Sequence, residues 1–298
     1  MKAELRTAIL EDLRARHGGS PRLIAEGSDG TLGMTERITV GQYPGPGEVF
    51  LKFAGRGGSG MLESEYEGLE ALAASETVRV PQALGLGVLG ETSWLATEYL
   101  ELVPASAESD ARLGAQLAAL HGHTADAHGW DRDNWIGNNP QPNGREGDWT
   151  RFFAERRLGY QLRLAAERGH DGPLQEEGQK LLERIPQLLA GHRPEASLLH
   201  GDLWSGNRAA LADSTPVIYD PAVHYGDGEC DLAMSELFGP FATGFYREYQ
   251  ARRPLPPGAG TRRDLYQLYH VLNHLNLFGG GWQKQARNLI RRLLAEAG

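Results

Sequence analysis

Strand-like segments are concentrated in the first third of this chain, and helical spacing takes over after it. Between residues 22 and 53 lie three short β-type runs, RLIAEG, MTERITVG and EVFLKF, separated by glycine-bearing turns at 27–33 and 41–47. Two more strand candidates follow at 84–89 and 94–99. Helical spacing is seen at 2–17, with Leu5, Ile9 and Leu13 on one face, and at 61–73, with Leu62, Tyr66, Leu69 and Ala73. From Asp110 onward helices are predicted at 110–121, 149–168, 174–190, 231–238, 242–252, 261–277 and 281–296. Only two short strands, near 208–211 and 216–219, are expected among them. This order predicts an α+β chain of two lobes rather than a doubly wound sheet. The expected division is 1–103 and 104–298, with a hinge at 98–103.

Composition narrows the partners. Thirty basic and thirty-nine acidic residues give a net charge of −9, so a global electrostatic footprint for nucleic acid or an anionic membrane is missing. The single cysteine, Cys230, excludes an intramolecular disulfide and cysteine-rich metal sites, and points to a reducing cytoplasm. Glu4, Arg6, Glu11 and Asp12 fall where a signal peptide needs an apolar stretch. The longest uncharged run, 265–283, is broken by His270, Asn273, His274, Asn276 and three glycines, so it reads as no membrane span.

One motif is a decoy. Gly55-Arg-Gly57-Gly-Ser-Gly60 matches the dinucleotide-binding G-x-G-x-x-G between a strand and a helix. The return strand carrying a ribose-binding acid is poorly supported, because residues 76–90 run into more antiparallel-looking segments. His121, His123 and His128 suggest zinc, but neither a cysteine nor a closely spaced acid completes a closed site.

The chemistry concentrates in Leu198-Leu-His200-Gly-Asp202-Leu-Trp204-Ser-Gly-Asn207. Its His-x-Asp followed by an asparagine five residues on has the spacing of a kinase catalytic loop, in which the acid receives the substrate proton and the amide binds Mg²⁺. Thirteen residues later Asp220 ends the apolar run Val217-Ile-Tyr219, a placement suited to a metal-held triphosphate. Lys52 lies inside the strand Val49-Phe-Leu-Lys52-Phe, where burial demands a partner for its charge. Glu65 on the following helix supplies one. The turn around Gly30 can bring backbone N–H groups to phosphates.

With those residues in place, the sequence resembles the fructosamine (ketosamine) kinases, within the protein-kinase-like fold shared with aminoglycoside and choline kinases. The resemblance rests on LLHGDLWSGN at 198–207 and DPAVHYGDGECDLAMSELFGPF at 220–241. It is extended by MLESEYEGLEAL at 61–72, LGAQLAALH at 113–121, GWDRDNWIGNNPQPN at 129–143, DWTRFFAERRL at 148–158 and YQLYHVLNHLNLFGGGW at 266–282. It implies ATP- and Mg²⁺-dependent phosphorylation of the sugar 3-hydroxyl of a ketosamine, free or on a protein lysine; apart from the resemblance, a monomer is expected. Asp202 then takes the general-base position, Asn207 and Asp220 the metal positions, and Lys52 and Glu65 the ion pair. Glu98, Tyr99 and Leu100 form the adenine-facing hinge. Trp204 and His274 fall on the acceptor side, while His200 and Asp231 support the loop; read locally, Asp231 is also an N-cap. Asp220-Pro-Ala replaces Asp-Phe-Gly, so activation-loop switching is not implied. Redox-controlled members of the family carry a cysteine in the first glycine turn, which residues 27–33 lack. Two alternatives stay open: another small hydroxylated acceptor, aminoglycoside- or choline-like, or a non-catalytic nucleotide-binding module.

Overall fold

The computed structural model describes residues 3–27, 35–42, 44–45 and 47–298. Five strands, β1 (Arg22–Gly27), β2 (Thr35–Gly41), β3 (Glu48–Ala54), β4 (Ala83–Leu89) and β5 (Thr92–Glu98), form one antiparallel sheet in the order β1-β2-β3-β5-β4. Because side chains alternate along a strand, β3 serves two faces. Val49 and Leu51 are buried with Phe53 against α1 (Ala3–His17), where Ile9 and Leu13 join Ile38, Leu84 and Trp94. Burying each such aliphatic side chain is worth about 1.5–3 kcal/mol. Phe50, Lys52 and Ala54 point the other way, toward α2 (Ser59–Ala74) and the cleft.

Helix α2 ties the sheet to the helical lobe. Leu62 packs with Ala54 and Leu95 of the sheet, while Leu69 and Leu72 enter a core shared with Leu113, Leu117, Leu198 and Ile218. The sheet order also disposes of the decoy: β5 lies between β3 and β4 and pairs antiparallel with both, so β3, α2 and β4 do not form the adjacent, hydrogen-bonded parallel pair of a dinucleotide site. A Cβ at Gly60 would lie 3.0 Å from the Trp135 indole nitrogen, so its small size serves packing.

The helical lobe begins with α3 (Ala107–Leu120), capped by Ser106, which accepts from the Ser109 N–H at 3.1 Å. Three segments follow one another directly: α4 (Trp149–Phe152), a π-helical stretch (Phe153–Gly159) and α5 (Tyr160–Glu167). Then come α6 (Pro173–Leu188), α7 (Glu229–Leu237), α8 (Thr243–Gln250), α9 (Ala259–Phe278) and α10 (Trp282–Glu296). Buried Leu265, Leu268, Val271, Leu272 and Leu275 make α9 the centre of the largest core, with Leu181, Ile185, Leu289 and Ile290 around it.

The expectation of only two short strands in this half is corrected. Besides β10 (Arg208–Ala210) and β11 (Pro216–Ile218), the lobe contains β6 (Thr124–Ala125), β7 (Asn134–Ile136), β8 (Asn139–Gln141), β9 (Ala196–Leu199) and β12 (His224–Gly226). Runs this short give no visible alternation, and β9 is buried throughout. Among the described residues no helix is long and apolar enough to cross a membrane.

Candidate active site

The loop after β9 and the end of β11 bring the acidic residues together. Strand β9 pairs with β12, and the His200 carbonyl continues the ladder by accepting from the Ala222 N–H at 2.8 Å. Gly201 adopts a left-handed φ of +84°, and a Cβ there would sit 2.0 Å from the Ala222 carbonyl oxygen. The glycine of His-Gly-Asp is therefore a backbone requirement. Gly201→Ala is expected to destabilise the fold by at least about 1–3 kcal/mol, read as a lower midpoint in thermal unfolding.

Asp231 braces the same loop. Its carboxylate accepts from the His200 and Gly201 N–H groups, at 2.8 and 2.9 Å, and lies 3.3 Å from His121 Nε2. Burial disfavours its charge, but these donors and His121 more than offset that and hold its pKa below the usual carboxylate range. The N-cap reading is corrected: Asp231 lies inside α7, whose N-cap is Gly228, so its oxygens are free to span to the loop. His200 is fully buried, with Nε2 3.0 Å from the Tyr219 carbonyl, and burial lowers its pKa. It links the loop to the end of β11. His121 is committed inside the core, its other ring nitrogen 2.8 Å from the Tyr249 hydroxyl.

Asp202 and Asn207 face the cleft as a pair. The Asn207 amide nitrogen donates to the Asp202 carbonyl at 2.9 Å and to its Oδ2 at 3.2 Å. That leaves the amide oxygen as the atom available to another ligand. Burial, reinforced by repulsion from Asp220, pushes the Asp202 carboxyl up to about 7. Across the cleft Lys52 Nζ donates to Glu65 Oε1 at 2.7 Å and to Asp220 Oδ1 at 2.5 Å. Burial works against the lysine charge, yet the two carboxylates outweigh it and raise the pKa. Burial pushes Glu65 up in turn, against the pull of Lys52. Asp220 sits at a left-handed φ of +56°, which swings its carboxylate off the β11 direction toward Lys52.

Two cavities meet at Lys52, Glu65 and Asp220. One, of ≈ 270 Å³, is walled by Phe50, Leu69, Pro81, Leu102 and the 98–100 segment containing Glu98, Tyr99 and Leu100. Its apolar walls suit a flat heterocycle. The Glu98 and Tyr99 N–H groups are engaged with the Gln82 and Glu48 carbonyls, at 2.9 and 3.1 Å. The other cavity, of ≈ 330 Å³, contains Asp202 and Asn207 and is closed by Trp204, His274, Trp135 and Phe278. Trp204 both lines this cavity and packs edge-on against Phe238, with ring centroids 5.5 Å apart. His274 donates from Nδ1 to the His270 carbonyl at 2.9 Å, since a carbonyl can only accept, so its Nε2 is left as an acceptor. Gly30 lies outside the described residues.

Sequence reasoning assigned no role to Trp135 or Asn138, which line the acceptor-side cavity from the β7–β8 hairpin. Buried amides hold that hairpin in place. Asn134 donates to the Val223 carbonyl at 2.7 Å and accepts from Gln141 and Asn143, and Arg157 reaches Asn143 at 2.8 Å. The density of Asn and Gln in NWIGNNPQPN was the available signal.

An antiparallel sheet whose Lys52 pairs with Glu65 of α2, set over a helical lobe that presents His-Gly-Asp and Asp-Pro, defines the protein-kinase-like fold. Within that class the chain belongs to the fructosamine kinase family, whose profile matches residues 30–296. It is 48% identical over 235 residues to a "Probable ketoamine kinase" of Synechocystis, covering 78% of this chain and 79% of that protein. It is 41% identical over 247 residues to a chloroplastic protein-ribulosamine 3-kinase of Arabidopsis thaliana, covering 82% of this chain and 75% of the relative. A crystal structure named "Putative fructosamine-3-kinase" from Haemophilus somnus superposes with a TM-score of 0.85 at 30% identity, covering 96% of each chain.

Proposed function

We propose that this protein is an ATP-dependent ketosamine 3-kinase, phosphorylating the sugar 3-hydroxyl of ribulosamines or fructosamines, free or on protein lysines. The observation that carries the reading is the convergence of Lys52, Glu65 and Asp220 between two cavities, one largely apolar along the 98–100 segment, the other holding Asp202 and Asn207. The relatives named as ketoamine and ribulosamine kinases support the acceptor class.

Adenine is placed between Phe50, Leu69 and Leu102, its edge facing the 98–100 segment. Lys52, held by Glu65, fixes the phosphate tail. Asn207 and Asp220 offer hard oxygen donors on the cleft side, a set that fits Mg²⁺. When bound there, the ion would offset charge on the phosphates. Asp202 orients the acceptor hydroxyl and takes its proton as that oxygen bonds to the γ-phosphorus and the bond to the departing diphosphate breaks. Trp204 flanks the sugar, and His274 Nε2 accepts from one of its hydroxyls. Catalysis then comes from positioning and electrostatic stabilisation. The lobes divide at 1–103 and 104–298. All groups come from one chain, which is read as a cytoplasmic monomer.

The test is Mg-ATP consumption with matched ribulosyl-lysine and fructosyl-lysine acceptors, with Asp202→Asn as the blank. Turnover on either is expected, and the ratio of rates names the sugar. Turnover only on an aminoglycoside or choline-like alcohol would move the chain to another acceptor class.

A further inference from the structure

Beside Asp202 lies a buried polar group that the mechanism above does not use. His270 sits one turn before His274 on α9 and is 3% exposed. Its Nδ1 is buried and makes no hydrogen bond. Leaving such a group unpaired is destabilising, so a fold that keeps one at a reacting centre points to a bond made elsewhere in the cycle. Nδ1 lies 3.8 Å from Asp202 Oδ1, outside hydrogen-bond range but within reach of a small rotation of the carboxylate. Asn207 contacts the opposite oxygen, Oδ2, at 3.2 Å.

We propose that His270 is a positioning residue for Asp202, its Nδ1–H donating to Oδ1 when the acceptor hydroxyl engages the carboxylate. The inference rests on the kinase reading of the site. Burial, with His274 nearby, pushes His270 down to about 3, so the ring is neutral near pH 7 and serves as a fixed donor rather than a proton carrier. With one donor on each oxygen the carboxylate plane is set. Asn207 also donates to the Asp202 carbonyl at 2.9 Å, so its 3.2 Å contact at Oδ2 is the one that can yield to the hydroxyl, which directs the proton to that oxygen. A rigid element supports this geometry: His270 is clamped in the core of α9, with Tyr269 edge-on at 5.1 Å.

Three variants and one spectrum test the inference. His270→Phe and His270→Leu remove the donor and are expected to lower kcat on the order of tenfold to a hundredfold, with KM for ATP and acceptor unchanged. His270→Asn places an N–H close to the Nδ1 position and is expected to retain most of kcat. Equal losses in Asn and Phe, or losses that follow the thermal midpoint of each variant, would make the role structural and overturn the proposal. The wild-type protein gives an answer that does not depend on any variant folding. Imidazole ¹⁵N NMR is expected to find His270 neutral and protonated at Nδ1, and a proton on Nε2 with Nδ1 bare overturns it. Failure of the kinase reading shows separately, as wild-type protein that consumes no ATP with any acceptor.

Discussion

The Asp202→Asn variant is expected to lose about 10²- to 10⁴-fold in kcat, the usual worth of a positioned general base, while binding nucleotide as the wild type does. The amide keeps the shape of the carboxylate and leaves the Asp202 carbonyl to hold Asn207, so the metal-side geometry survives. Steady-state turnover and nucleotide titration on the same preparation separate the two effects. Weakened nucleotide binding to the same extent as turnover would move Asp202 from proton acceptor to ligand of the phosphate tail.

The same substitution carries an opposite expectation for stability. Burial and Asp220 raise Asp202 from an ordinary 3.8 to about 7 in the folded protein. Between those values the folded state binds more protons than the unfolded one, so stability falls as pH rises, and the full penalty is present above pH 7. Its size is on the order of 2–4 kcal/mol at most, since the side chain is 20% exposed. Asparagine does not titrate and escapes the penalty. Without nucleotide or Mg²⁺, Asp202→Asn should therefore melt above the wild type at pH 8, and the gap should close toward pH 4. A wild type that is the more stable at pH 8 would show that the loop does not strain its own acid.

How much of this was legible follows from the range of each interaction. The spacing of His200, Asp202 and Asn207 lies within one loop, and Lys52 in an apolar strand asks for a partner wherever it is placed, so both could be read along the chain. The pairing of Lys52 with Asp220 spans 168 residues and appears only once the lobes meet. Asp231 looked like a helix cap because a carboxylate near a helix start usually is one, and tertiary contact with the 200–201 backbone overrode that local preference. The segment holding the Asn134–Gln141–Asn143 network received no element from the sequence, because buried amides carry no hydrophobic period. Gly60 fell into a phosphate-binding pattern although its small size answers to Trp135. His270 looked like one more polar break in an apolar run, and only its distance to Asp202 gives it a role.

Asp220→Asn is the second large effect, about 10²- to 10³-fold in kcat, and it should act through Mg²⁺. Asparagine tolerates the left-handed backbone at +56° nearly as well as any residue but glycine, so the turn into Pro221 is kept. Alanine would add backbone strain of about 1–3 kcal/mol and blur the reading. Removing this one carboxylate leaves Lys52 paired with Glu65 at 2.7 Å, while the 2.5 Å contact to position 220 loses its charge. The lysine is then freer to meet phosphate, so ATP without Mg²⁺ is expected to bind at least as tightly as to the wild type. The extra affinity that Mg²⁺ brings should disappear, because one of the two proposed oxygen donors has lost its charge. Nucleotide affinity measured at zero and saturating Mg²⁺ for both proteins checks this. Equal dependence on Mg²⁺ in the two would remove Asp220 from the metal position and leave it only as the second anchor of Lys52.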